Sequence, residues 1–264
     1  MHLRQTTRQL IGFAEQESGY PVEVVHDPDL PTIATVRMAH GHMPAHVIQY
    51  KTANEAHLDY LICYQCGFIL RHFGAPPADR YDIRSTSEAY RQVRGLLGGP
   101  DGIVRKLGLE GVQAAELQAK LAWQLVDGLL LHLRSIPIGM RIGAWLAENY
   151  PELRQSQQAI VLRELAEARQ TLTPEMQEMT PLEVYRPTQA INAAYALYWA
   201  EALGRRELSA PYRFAGFDRD GKDLLKIWRE TPAGPEHDRE LVDRWGKAFG
   251  LQDWYEWAPY KGPA

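Results

Sequence analysis

Three histidines fall close together in the stretch AHGHMPAHVIQY: His40, His42 and His46. Residues two apart in an extended segment point to one side, so His40 and His42 could share a metal ion while His46 reaches in from the following turn. Glu55 or His57 would then complete the ligand set. The competing reading is a surface loop of independently titrating histidines, because H-x-H spacing is not diagnostic and Gly41 and Pro44 leave the local geometry open. The only two cysteines, Cys63 and Cys66, have the C-x-x-C spacing of a redox pair or of half a zinc site. A redox pair sits at a helix N-terminus, where the dipole lowers the thiol pKa. These two stand in mid-run among Leu61, Ile62, Phe68 and Ile69, and no further cysteine exists to close a zinc site. They read as reduced, buried core residues. GLLGGPDG lacks the Gly-Lys-Ser/Thr ending of a phosphate loop, and DRDGKD lacks the later ligands of a calcium loop; both read as turns.

The elements that must position these residues follow from periodicity and punctuation. A helix is expected over 6–16, strands over 21–25, 32–38 and 46–50, and a helix over 54–73 with Asn54 as its N-cap and His57 where a capping box would place Glu or Gln. Beyond Ser85 the periodic segments are helical, over 86–97, 110–134, 138–148, 152–171, 182–205, 221–230 and 236–249, broken by Gly-Gly-Pro, Ile-Pro, Tyr-Pro, Thr-Pro and Ala-Pro. The segment INAAYALYWAEAL is apolar nearly all round and belongs at the centre of the helical part. The fold class is therefore α+β and predominantly α-helical: an N-terminal helix and a small three-stranded sheet packed on a buried helix, followed by a helical assembly. Residues 1–84 form the α/β portion, 85–210 a helical portion packed on it, and 211–264 an aromatic-rich helical tail. Trp228, Trp245, Trp254 and Trp257 are expected to dock that tail onto the core.

Composition narrows the function classes. With 264 residues, 45% of them hydrophobic and 23% charged, and a net charge of -4, the chain has a globular protein's composition, not a disordered one's. A pI near 6.1 does not favour nucleic acid as a partner. The start MHLRQTTRQL lacks the apolar region of a signal peptide, and no run of about 18 apolar residues spans a bilayer, so the expected location is the cytoplasm.

The helix LDYLICYQCGFILRHF has one strongly polar residue, Gln65, between Tyr60 and Leu70. A helix without a polar face is a buried one. Its mid-helix Gly67 costs about 1 kcal/mol relative to alanine, which points to another side chain or backbone passing close by.

The order of helix, three strands and buried helix, together with YQCGF inside that helix, resembles the ImmA/IrrE family of zinc metallopeptidases. That family carries the H-E-x-x-H plan, two histidines four apart on one helical face with a glutamate that activates the zinc-bound water. The resemblance puts Tyr64 at the first histidine, Gln65 at the general base, Cys66 at a variable position, Gly67 at the family's glycine and Phe68 at the second histidine. It implies a third ligand on a later helix, for which Glu116 in ELQAKLAWQLVDGLL or, equally, Glu110 stands as the remnant. Phe68 has no lone pair, and a neutral amide at Gln65 cannot take a proton from water as a carboxylate does. The family mechanism is thus unavailable on this helix, and no catalytic residue and no cofactor are expected there. The other reading of YQCGF is a core helix with one buried amide.

Two functions follow. The first is a non-catalytic pseudo-metallopeptidase, a protein-binding or regulatory scaffold, whose strand His46, Val47, Ile48, Gln49, Tyr50 accepts an extended peptide at its edge while the helical half contacts a protein partner. The second is an active metal-dependent hydrolase using His40, His42 and His46 with zinc. The long apolar helices are either internal or meet a second copy of the chain.

Overall fold

A computed structural model describes residues 3–51, 55–100 and 102–263. Helix α1 (Gln5–Ser18) stops at Gly19, whose φ of 78° places it in the left-handed region that ends helices without steric cost. Strands β1 (Val22–His26), β2 (Ala34–Arg37) and β3 (His46–Tyr50) follow, then α2 (Glu55–Gly74), β4 (Tyr81–Ser85) and α3 (Ser87–Gly98). The remaining elements are α4 (Ile103–Lys106), α5 (Gly111–Asn149), α6 (Arg154–Arg169), α7 (Pro174–Met179), α8 (Leu182–Ala202), α9 (Ala210–Phe214), α10 (Asp218–Glu230), α11 (Asp238–Ala248) and β5 (Tyr255–Pro259). This is the expected α+β, mostly helical architecture. Asn54 lies outside the described residues, as does the side chain of Glu55.

The three-stranded sheet has the order β1-β3-β2. Strand β3 runs parallel to β1, with Val22 opposite His46 and His26 opposite Tyr50, and antiparallel to β2, with Ala34 opposite Tyr50 and Arg37 opposite Val47. Beneath the sheet lies α2. One of its faces, Leu58, Ile62, Cys66, Ile69 and Phe73, closes with Ile48 and Ala14 into a small apolar cluster. The opposite face, including Tyr60, Leu61 and Cys63, belongs to the main core with α5, α6 and α8. The lack of a polar face on α2 is explained by burial on both sides. In α8, Ala190, Ile191, Ala193, Ala194 and Ala196 are all fully buried, which places that helix at the centre as its composition requires.

Two parts of the helical half depart from expectation. The Ile-Pro pair at 136–137 does not break the chain into two helices; α5 runs unbroken through Pro137. Proline removes the hydrogen bond to the Leu133 carbonyl, at a cost of about 3 kcal/mol. Leu133, Ile138, Met140, Ile142 and Leu146 are buried on either side of it and hold both halves of the helix in one direction. Trp228 adds an indole N–H bond to the Pro137 carbonyl at 3.0 Å.

The tail is also not wholly helical, because Tyr255–Pro259 forms β5 and pairs antiparallel with β4, Ser85 opposite Tyr255 and Tyr81 opposite Pro259. The alternation of Tyr255 and Trp257 puts both on one face, where the Tyr255 hydroxyl and the Trp257 indole donate to the same Asp243 oxygen at 2.9 and 2.7 Å. Trp245 and Trp254 are buried, and Trp228 and Trp257 pack against the same core, so the tryptophans do dock the tail. Among the described residues no helix is long and apolar enough to cross a membrane.

Candidate functional site

Tyr64 and Phe68 lie one turn apart on the face of α2 that meets α5, with ring centroids 5.4 Å apart and planes at 89°. The two helices interlock through glycines in both directions. A Cβ on Gly139 of α5 would collide with the Tyr64 hydroxyl and touch Phe68, and a Cβ on Gly67 of α2 would collide with the Ile142 side chain. The neighbour that Gly67 implied is therefore Ile142. Gln65 is buried beside them. The residues at 64, 65 and 68 act as packing surface.

Their chemistry agrees with that packing. Burial drives the Tyr64 hydroxyl well above the ordinary tyrosine pKa, with a further push from the charge of Glu164. Burial likewise pushes the Cys63 thiol up to about 12 and raises Cys66, so neither is a thiolate near neutrality. The Cys63 Sγ donates to Thr7 Oγ1 at 3.7 Å, and the Thr7 hydroxyl in turn donates to Asp59. A phenol, an amide, a protonated thiol and a benzyl ring do not make the donor set that zinc requires, so the residues of this helix do not fit the metal that the resemblance would imply.

The three histidines do not converge. His40 and Met43 pair their backbones across a tight turn, His40 N–H to Met43 O at 2.9 Å and Met43 N–H to His40 O at 2.7 Å, with Gly41 at φ 49°, and this leaves His40 and His42 exposed. His46, in contrast, is fully buried. Its Nδ1 accepts the Ala39 N–H at 3.0 Å, which occupies one potential ligand atom, and its ring packs edge-on to Phe73 and Tyr20 at 5.2 and 5.8 Å. Burial lowers its pKa to about 4. The strand's own alternation turns His46 inward with Ile48. Among the described residues no three His, Cys, Asp or Glu side chains are grouped to hold a metal ion.

The strand expected to accept a peptide is not an edge. Residues His46, Val47, Ile48, Gln49 and Tyr50 form the central strand, paired on both sides, because β2 returns along the outside of β3 and β1 takes its other flank. The free edges belong to β1 and β2. Gln49 is further engaged through its side chain, which donates to Asp27 at 3.1 Å, and the Tyr50 ring lies 5.2 Å from that of His26.

Glu116 and Glu110 are both exposed. At 1.5 Å per residue, Glu116 stands about 34 Å along α5 from the Gly139 crossing, so it cannot serve α2 as a third ligand. The carboxylate whose charge reaches Tyr60 and Tyr64 is Glu164 of α6. It accepts the Tyr195 hydroxyl at 2.5 Å, and burial raises its pKa to about 6. Nothing in the sequence marks Glu164 among the glutamates of RELAEAR.

The sequence reading also missed an arginine cluster at the C-terminal end of α2. Arg71 binds both oxygens of Asp238 at 2.7 Å, and Arg141 donates to the same carboxylate at 3.0 Å and to the Thr231 carbonyl at 2.9 Å. A cavity of about 50 Å³ adjoins this network, lined among others by Phe68, Arg71, His72, Arg134, Asp238 and Trp257. The available signal was the pair His132 and Arg134 inside the otherwise apolar run GLLLHLRSIP, polar residues on a helix that has little solvent to give them. Compared with protein-family models, with curated proteins and with solved structures, the chain finds no match.

Proposed function

We propose that this chain is a non-catalytic, pseudo-metallopeptidase-like scaffold, located in the cytoplasm, that acts by binding a protein partner. The observation that carries the reading is the state of α2 at the positions where the ImmA/IrrE plan places its chemistry: Tyr64 and Phe68 are packed into the α5 crossing at Gly139, and Gln65 is buried next to them. A tyrosine whose proton is held by burial and a phenylalanine offer neither a ligand pair nor a base.

Support for a protein partner comes from the helical half. The Lys106 ammonium donates to the Glu178 carbonyl at 3.0 Å and brings α4 to α7. Leu107, Met176 and Met179 on these segments, and Leu182 just beyond, are exposed apolar side chains of the kind that interfaces cover. Strand β3, paired on both flanks, offers no edge to an extended peptide.

The test is metal content together with hydrolysis. Purified protein is expected to carry well under half an equivalent of zinc and to leave unstructured protein substrates intact with or without added metal. The competing hydrolase would hold stoichiometric metal, lose activity on chelation, and lose both in His40→Ala or His42→Ala.

A further inference from the structure

We infer that the cavity between the end of α2, the middle of α5, the start of α11 and the β4–β5 pair is a binding site for a phosphate-sized oxyanion, with the Arg134 guanidinium as its principal contact. This goes beyond the scaffold reading and does not depend on it.

A guanidinium carries five N–H donors and no acceptor, and taking it out of water without partners is costly. The other arginines around this cavity are engaged. Arg71 and Arg141 share Asp238, Arg80 donates to the Ala75 and Phe73 carbonyls at 3.0 and 2.7 Å, and Arg239 lies over the Tyr81 ring at 4.4 Å and pairs with Asp243 at 3.8 Å. Among the described residues Arg134 alone of this group donates no hydrogen bond and has no carboxylate within ion-pair distance. Asp82 and Asp238 act on it only through space, while burial pulls its pKa down. Its side chain rises from between the buried Leu133 and the half-buried Ser135 and lines the cavity.

A second unpartnered group lines the same space. His72 Nε2 is buried with no hydrogen-bond partner, and burial together with the positive charge of Arg134 lowers its pKa to about 3. It is therefore a neutral imidazole, and with its proton on Nε2 it is a donor beside the guanidinium. Two groups without an acceptor from the protein, the half-buried Arg134 guanidinium and the His72 imidazole, line one cavity, where an acceptor from solution can meet them.

Size and charge set the ligand class. About 50 Å³ has room for one tetrahedral oxyanion and not for a nucleoside. Asp238 on the wall, already shared by two arginines, and the exposed Asp79 at the rim disfavour polyanions. Trp257, whose ring lies 5.8 Å from the Arg239 guanidinium, closes one side and keeps the site low in dielectric, where charge-assisted hydrogen bonds are strongest.

The experiment is calorimetric titration and thermal unfolding of the full chain with sodium phosphate, against sodium chloride at matched ionic strength. The expected result is saturable binding of one phosphate and a saturating rise in Tm, both lost in Arg134→Gln and at least tenfold weakened in Arg134→Lys, which keeps the charge but not the fork. Asp79→Asn, a change at an exposed rim position, is expected to tighten phosphate several-fold; this variant keeps the test valid if Arg134→Gln fails to fold. AMP in place of phosphate is expected not to bind. The inference is overturned if phosphate behaves as chloride does, as it would were the cavity filled by water alone, if Arg134→Gln responds as the wild type does, if Asp79→Asn weakens binding, or if acetate or AMP binds and phosphate does not.

Discussion

Replacing Gly67 by alanine sets two effects of opposite sign against each other. In an exposed helix interior the change would stabilise the protein by about 1 kcal/mol, because glycine is the poorer helix former. At the α2–α5 crossing the added Cβ falls on the Ile142 Cγ2 methyl. Isoleucine is β-branched with one strongly preferred χ1 in a helix, so that methyl cannot swing aside, and overpacking of this kind costs about 1–3 kcal/mol. Ile142 is itself fully buried, which places the cost at the upper end. The net expectation is a loss of about 2 kcal/mol, or roughly 4–8 °C in Tm for a chain of this size. Urea unfolding of Gly67→Ala, Ile142→Ala and the double variant measures it. The double variant should be more stable than the sum of the single losses implies, since removing Cγ2 relieves the clash. If Gly67→Ala is neutral or stabilising, or if the two losses simply add, the interlocked crossing is wrong, and with it the account of why positions 64 and 68 are closed.

Three further outcomes are expected. Asp238→Ala leaves the buried Arg141 guanidinium without its carboxylate, and a loss of about 3 kcal/mol in urea is predicted, since breaking a buried pair from one side costs about 3–5 kcal/mol; a loss below about 1 kcal/mol would show that the triad with Arg71 is not structural. Lowering the pH from 7 to 4.5 should destabilise the protein through His46 and His72. Their folded pKa values fall from 6.5 to about 4 and about 3, so their contribution is present above 6.5 and lost on acidification. Glu164 acts in the opposite sense, raised from 4.5 to about 6, with stability present below 4.5 and lost as the pH rises through 6, but its shift is smaller than either histidine's. Glu164→Gln should therefore stabilise the chain at pH 8 more than at pH 4.5; an equal effect at both, read from urea midpoints, would mean that Glu164 titrates normally.

The first half of the fold was legible because short runs rich in β-branched residues and bounded by prolines favour strands, and because α2 had no face to offer solvent. The placement of Gly67 against a neighbour was legible for the same reason, but the neighbour's identity was not. A glycine reports that something is close, and only the tertiary structure says that it is Ile142. Pro137 misled because a local rule about breaking helices met buried residues on both sides that hold α5 straight. Strand β5 was hidden in a tail whose aromatic content drew attention to docking, although Tyr255 and Trp257 alternate as strand residues do.

At the site, the close spacing of His40, His42 and His46 concealed opposite environments, two on a turn and one beneath the sheet. The pairing of His46–Tyr50 along both edges was hidden, since chain order does not reveal that β3 lies between β1 and β2. Glu116 was placed by local similarity alone, and the length of α5 removes it from α2. Arg134 was visible as a charge in an apolar helix, yet its lack of a partner is a property of the assembled structure.

The central claim is that α2 carries packing where a metallopeptidase helix carries chemistry. The measurement that meets it most directly is elemental analysis of the purified full chain alongside a protein-hydrolysis assay with and without chelator. The account predicts zinc far below half an equivalent and no chelator-sensitive cleavage. Zinc near one equivalent, with cleavage that chelation removes and that His40→Ala or His42→Ala abolishes, would contradict it.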